Sequence, residues 1–142
     1  MERPGVGLSV IIFNSNDMKI LMGKRKGAHG AGQWAFPGGH IEKFETFEDC
    51  AKREVIEETG MRIELIDKYP VAATNDFFKE DDKHYVTLFF RAHNWENQEP
   101  KLMEPEKCEE WKWYAWYNFP SNLFTPVYNL REQMFEPFKD FK

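Results

Sequence analysis

The sequence predicts an α/β fold, a mixed β-sheet with helices on its faces. Three observations carry that expectation. Short β-branched and aromatic runs recur along the chain, two segments with helical character interrupt them, and the 142 residues suffice for one core and one domain, spanning 1–142.

Residues 6–13 are β-branched and apolar and read as a buried strand. Asn14-Ser-Asn-Asp17 is a turn cluster, and residues 19–22 return as a second strand to make a hairpin. Residues 23–32 read as a loop with the basic patch Lys24-Arg25-Lys26. Trp34-Ala-Phe36 is a short strand ended by Pro37-Gly38-Gly39. Thr46 opens a helix, with Asp49 three residues on as its capping partner, and Gly60 stops it. Residues 62–73 and 84–92 read as longer strands separated by the polar turn at 79–83. Residues 111–116 alternate large aromatics with polar or small residues, another strand, and residues 127–135 form a closing helix.

The composition is 42% hydrophobic and 16% aromatic, which excludes a disordered chain. A formal net charge of −5 argues against a stable nucleic-acid complex but not against a small phosphate ligand, because a bound divalent metal inverts local charge. No apolar stretch approaches the roughly 20 residues that span a bilayer. Cys50 and Cys108 are the only cysteines, and Met1-Glu-Arg-Pro does not open a signal peptide, so a cytoplasmic protein with free thiols is expected.

The densest chemistry lies between Gly39 and Met61. On a helical wheel Phe47, Cys50 and Ala51 share an arc of roughly 100°, and Glu54, Glu57 and Glu58 continue the same arc. A solvated acidic face would lie opposite the apolar stripe; these acids prolong it. Glu54 and Glu58 are spaced i,i+4 and Glu57 is i+3 from Glu54, so all three can reach one small volume. Like charges that close need a cation, and an oxygen-only set suits Mg²⁺ or Mn²⁺. Zinc is disfavoured, because His29, His40, His84, His93 and the two cysteines lack close ligand spacing. Gly38 and Gly39, at a strand end leading to the acids, would let backbone approach a metal or phosphate. Arg53 either makes an ordinary helix-surface ion pair or holds Glu54 or Glu45 from behind.

The run Gly39-x5-Glu45-x7-Arg53-Glu54-Val55-x-Glu57-Glu58-x-Gly60-Met61 resembles a complete Nudix box, with nine fixed positions in 23 residues. Gly23-Lys-Arg-Lys-Gly27, Phe36-Pro-Gly-Gly-His40, His84-Tyr-Val-Thr87 and the 99–108 loop followed by Trp111 and Trp113 are similar to MutT-like nucleoside triphosphate diphosphatases. The resemblance implies a Nudix fold, an α/β/α sandwich around a mixed sheet. It implies Mg²⁺-dependent hydrolysis (Mn²⁺ substituting) of a small-molecule nucleotide, a triphosphate giving monophosphate and pyrophosphate. Glu54, Glu57, Glu58 and the Gly39 carbonyl would hold metal, Glu54 would also activate water, and Arg53 would orient the acids with Glu45. A further acid would come from Glu104 or Glu106. Arg25, Phe36, Gly38, Gly39, His40, Thr87, Leu123 and Phe124 would contact substrate, with core packing the plain alternative for each apolar member. A homodimer is also implied, for which Trp113, Trp116 and Tyr117 could supply an interface or equally belong to the core.

Two departures stand out. Relatives carry Gly before the first box glutamate where this chain has Phe44, so the 40–45 loop is expected to take another shape. Thr125 stands where a relative has an aromatic ring, so purine preference does not carry over automatically. Two rival functions remain: cleavage of NADH or a nucleotide-sugar diphosphate, and nucleotide sensing without turnover.

Overall fold

A computed structural model describes residues 3–27 and 29–139. The ends of the expected 1–142 domain, including Met1 and Glu2 of the start considered above, lie outside these residues. Eight strands form one mixed sheet: β1 (Gly5–Asn14), β2 (Ile20–Arg25), β3 (Trp34–Ala35), β4 (Gly38–His40), β5 (Glu64–Leu65), β6 (Ala72–Phe78), β7 (Lys83–Asn94) and β8 (Cys108–Tyr114). Two helices, α1 (Phe47–Thr59) and α2 (Thr125–Glu132), complete it. The main strand order is β3-β2-β1-β7-β5, with β4 alongside β1, β6 alongside β7 and β8 alongside β2.

β1 and β7 run parallel over ten paired residues, from Gly5↔Tyr85 to Asn14↔Asn94, while the other pairings are antiparallel. Side-chain alternation along β1 then feeds two cores. Ile11 and Phe13 face a cluster with Phe89, Trp116, Val127 and Leu130 beneath α2. Val10 and Ile12 face the opposite side, with Ala51 and Val55 of α1, Met61 and Ala92. A strand apolar on both faces is what a sheet covered on both sides requires. Burying Val55 fully contributes about 1.5–3 kcal/mol to holding α1 there.

Several expectations change. The β1–β2 hairpin is reduced to one register pair, Phe13↔Ile20, because β2 leaves β1 to pair with β8 and β3. β4 takes the vacated edge of β1 at Gly7–Ser9, so Gly38-Gly39 is strand rather than loop. β2 continues to Arg25, which places two of the basic patch residues on a strand. The expected long strand at 62–73 breaks: β5 covers only Glu64–Leu65, β6 begins at Ala72 and runs on to Phe78, and Asp67 in the gap holds Arg91 of β7 in a two-point ion pair at 2.8 and 3.0 Å. Trp116 lies in the α2-side core and Trp113 packs beside the α1-side core, whereas Tyr117 is exposed and donates to Glu136 at 3.0 Å. Core packing thus accounts for two of the three aromatics considered for an interface.

α2 starts with Pro126 in its first turn, where a missing N–H costs nothing. Val127 and Leu130 are buried, and the Gln133 amide donates to the Ala73 carbonyl of β6 at 2.9 Å. Both cysteines are free, and among the described residues no helix is long and apolar enough to cross a membrane.

Candidate active site

α1 begins as its sequence predicts. The Thr46 hydroxyl caps it by accepting from the Asp49 N–H at 3.1 Å, and Gly60 ends it at φ 72°, a left-handed conformation open to glycine. The buried stripe is rotated from the wheel reading toward Ala51, Val55 and Thr59. Thr59, although polar, is fully buried because its hydroxyl donates to the Val55 carbonyl at 2.6 Å and accepts from the Met61 N–H at 3.1 Å. That rotation leaves Glu54 and Glu58 on the inner flank and puts Glu57 at the solvent edge, its side chain 50% accessible.

Arg53 grips Glu45 and Glu54 more closely than Glu57. It forks onto Glu45 through Nε at 2.7 Å and a terminal nitrogen at 3.0 Å, donates to Glu54 at 2.7 Å, and reaches the His40 carbonyl at 3.1 Å. Glu57 lies farther off, at 3.4 Å. A planar guanidinium suits this simultaneous grip. Hydrogen bonding to Arg53 holds the Glu45 carboxyl down to about 2 and raises the Arg53 pKa in turn.

The Phe44 departure is absorbed. Phe44 adopts φ 68°, the region glycine enters without cost, at a strain of about 1–2 kcal/mol for a residue with a Cβ. The turn closes through the Glu45 N–H to the Glu42 carbonyl at 3.0 Å, while the Glu42 N–H donates to the Glu45 carboxylate at 3.0 Å. Glu45 therefore still lands on Arg53. The Phe44 ring itself is 95% exposed.

Close approach requires glycine at 38, where a Cβ would run into the Leu8 carbonyl, and a Cβ on Gly39 would displace the Glu54 carboxylate from its place. The Gly38 N–H donates to Glu58 at 2.8 Å. Burial pushes the Glu58 carboxyl up to about 8 against that hydrogen bond, and Glu54 and Glu104 add to the rise. Burial also raises Glu54, opposed by Arg53. Glu104 is the loop acid that reaches the site: it lines one cleft of about 440 Å³ with Glu42, Glu54, Glu57, Glu58, Gly38 and Gly39. Glu106 is solvent-exposed and does not line it.

Among the described residues no three acids, histidines or cysteines already converge as a ligand set. Glu54 is turned onto Arg53 and Glu58 onto the Gly38 N–H. The donor set nevertheless fits a hard divalent cation. It is all oxygen, and two of its acids carry charge that burial and neighbouring carboxylates disfavour, a conflict that a cation relieves.

A second cavity, of about 120 Å³, opens on the other side of the Gly38-Gly39 strand. Arg25, Phe36, Gly38, Gly39, His40, Thr87 and Phe124 line it, and Arg25, Ala35, Phe36, Gly38, Gly39 and His40 are shared with the acid cleft. Leu123 does not line it; its backbone bridges to Trp34 and its side chain packs on the α2-side core. Arg25 lies over the Phe124 ring at 4.0 Å and donates to the His29 carbonyl at 3.2 Å. Phe78 stacks beside Phe124 with centroids 5.4 Å apart, and His40 lies flat on Tyr85 at 5.1 Å. Loss of hydration, then Lys83 and Arg25, lowers the His40 pKa.

His29, Phe78, Tyr85, Gly7 and Ser9 also line the cavity and escaped the sequence reading. Strand periodicity could have found three of them. Tyr85 is two residues before Thr87, and Gly7 and Ser9 share its face through the parallel β1–β7 register. Phe78 arrives from the end of β6 and His29 from the loop after β2, segments that only the fold brings together.

A family model described as NUDIX domain matches residues 3–136. The chain is 33% identical over 110 residues to the zebrafish (Danio rerio) oxidized purine nucleoside triphosphate hydrolase, covering 78% of this chain and 65% of that protein. It is 36% identical over 61 residues to the mouse (Mus musculus) protein of the same name, covering 43% of this chain and 39% of that one. The chain thus spans under two thirds of the length of these curated relatives. A MutT NUDIX hydrolase from Burkholderia pseudomallei superposes with a TM-score of 0.81 at 30% identity, covering 94% of this chain and all of that one. A MutT protein from Methanosarcina mazei superposes with a TM-score of 0.78 at 22% identity, a likeness of fold. With its box running from β4 through α1, its acids in one cleft and the family model matching residues 3–136, the chain belongs to the Nudix family.

Proposed function

We propose that the protein hydrolyses a phosphoanhydride of a nucleoside triphosphate, releasing monophosphate and pyrophosphate, with Mg²⁺ as the cofactor and Mn²⁺ able to replace it. One observation carries the reading: a cleft lined by acids and a cavity lined by aromatics share a wall, Phe36 to His40 with Arg25. A nucleotide is a charged diphosphate joined to a flat base, and it needs both chambers side by side. The names of the zebrafish and mouse relatives support an oxidised or otherwise modified purine as the base.

Glu54, Glu57 and Glu58, with Glu104 and the Gly39 carbonyl, would hold the metal. When bound, the ion neutralises phosphate charge and acidifies coordinated water. The chain's own residues do the rest. Glu54, fixed by Arg53, accepts a proton from the attacking water. The water oxygen bonds to phosphorus as the bridging P–O bond breaks, and the leaving phosphate keeps the electron pair. Arg53 keeps Glu54 from wandering and is itself anchored by Glu45. Arg25 lies between the chambers and can face phosphate. Phe78 and Phe124 offer the base a stacking surface.

The test is a panel of nucleoside triphosphates, dinucleotides and nucleotide sugars incubated with purified protein and Mg²⁺, with products identified. Monophosphate plus pyrophosphate from a triphosphate is expected. Two monophosphates from a dinucleotide or nucleotide sugar alone, or no phosphate release from folded protein, would overturn the proposal.

A further inference from the structure

Strand β6 turns two polar residues inward where a strand against a helix ordinarily buries apolar ones: Thr74 is 3% exposed and Asp76 is fully buried. Three donors converge on the Asp76 carboxylate. The Thr87 hydroxyl lies 2.6 Å and the Thr74 hydroxyl 3.0 Å from one oxygen, and the Asn129 amide of α2 donates to the other at 2.9 Å. Among the described residues no lysine, arginine or histidine pairs with it. Such a network is more than is needed to join β6 to α2, because Gln133 to Ala73 already does that.

Its consequence falls on the base cavity. Thr87 lines that cavity and Asp76 does not. A hydroxyl has one proton and two lone pairs, and a carboxylate only accepts. The Thr87 proton is therefore committed to Asp76, and the hydroxyl can offer the cavity nothing but a lone pair. Gly7, paired with Thr87 across β1–β7, leaves the floor open above it: a Cβ there would come 3.9 Å from the Thr87 oxygen. A ligand N–H set on that floor gains a hydrogen bond. A ligand carbonyl set there meets another acceptor and loses its water.

Building on the nucleotide reading above, we propose that Asp76 is a positioning residue that sets the hydrogen-bond polarity of the base pocket. By fixing Thr87 as an acceptor it selects bases that present an exocyclic amino N–H to the floor over those that present a carbonyl or a bare C–H. Asp76 touches no substrate; it acts through Thr87.

The substitution D76N keeps shape and reverses polarity. The Asn129 NH₂ also donates to the Asn75 carbonyl at 3.4 Å, and a flip would set its own oxygen against that carbonyl, so the new amide oxygen is expected to turn toward it. The new NH₂ then faces Thr74 and Thr87, which frees the Thr87 proton for the cavity. The experiment measures kcat/KM for GTP against ITP, which lacks the 2-amino donor, and for ATP against ITP, which has a carbonyl in place of the 6-amino group. The wild-type protein is expected to favour the donor-bearing member of at least one pair by about tenfold or more. D76N should erase or reverse that preference, through KM more than kcat. T87V should erase it without reversal, and T87S should retain it. Should D76N fail to fold by thermal melting, T87V and T87S decide the matter. No preference in the wild type, or a preference that survives both D76N and T87V, overturns the inference while leaving the nucleotide reading intact. Absence of hydrolysis of any triphosphate by folded wild type would instead remove the nucleotide reading and this inference with it.

Discussion

The acid cleft and the aromatic cavity share a wall of one short strand, yet they are built on opposite plans. The cleft takes four of its five acids from neighbouring chain, the 40–45 turn and α1, with Glu104 the exception; Gly23 and Arg25 of β2 and Lys107, Cys108 and Trp111 complete its wall. The cavity collects β1, β2, the 29–40 segment, the end of β6, β7 and the start of α2. The cleft is charged, tied by hydrogen bonds from one arginine to three acids, and closed to any side chain at Gly38. The cavity is held by ring contacts and one buried carboxylate. The difference teaches where each property can vary. Chemistry is locked into a local pattern whose parts constrain one another, whereas specificity is spread over separate segments that can change one at a time.

Substitutions should separate the two chambers by the kinetic constant they move. The largest effect belongs to Glu54: E54Q should lower turnover by about 10²–10⁴-fold, the usual worth of a positioned general base, with nucleotide binding retained. Next is R53K. A lysine cannot fork onto Glu45 while holding Glu54, so activity should fall roughly 10–100-fold, as for other groups that orient metal ligands. Wild-type rates in R53K would make the arginine web an ordinary surface ion pair. On the cavity side, F124A removes one stacking face, and KM should rise by a factor corresponding to about 1–3 kcal/mol while kcat holds. A fall in kcat alone would blur the division between chambers.

Two smaller effects address the turn that carries Glu45. Arg53 hydrogen-bonds its charged form and holds the carboxyl down to about 2, below the ordinary 4.5. A depressed acid stabilises the fold above its unfolded pKa, and that contribution disappears as pH falls from 4.5 through 2. Melting temperature should therefore drop more steeply over this window in wild type than in E45Q; parallel curves would mean that Glu45 is idle. Smallest is F44G. It relieves the left-handed strain and loses little packing, since the ring is 95% exposed, but it adds chain entropy to the unfolded state. A net gain of about 0.5–1 kcal/mol is expected from thermal melts, and a loss would show that the ring has an unrecognised contact.

The same contrast governs what could be read from sequence. The helix, its Thr46 cap, its Gly60 stop and the acid spacing were legible because each is fixed by residues within a few positions. The facing of the helix was legible only approximately: the Thr59 hydroxyl satisfies itself on the Val55 carbonyl and so passes as a buried residue, which a polarity wheel does not foresee. The break of the 62–73 segment and the departure of β2 from β1 depend on pairing with β7 and β8, information that lies far along the chain. Glu104 could not be told from Glu106 for the same reason. Asp76 had no local signature, since its partners Thr87 and Asn129 are 11 and 53 residues away.

Glu58 offers the most direct test of the central claim, that the acid cleft performs hydrolysis on a nucleotide held by the neighbouring cavity. Burial already disfavours its charged form, and a glutamine oxygen can still accept from the Gly38 N–H, so the fold should tolerate E58Q. The measurement is pyrophosphate release from a nucleoside triphosphate with Mg²⁺, alongside nucleotide binding, for wild type and E58Q. The account predicts monophosphate and pyrophosphate from wild type, and a folded E58Q that still binds nucleotide but releases pyrophosphate at least about 10²-fold more slowly. Undiminished release by E58Q, or binding without turnover in both proteins, would contradict it.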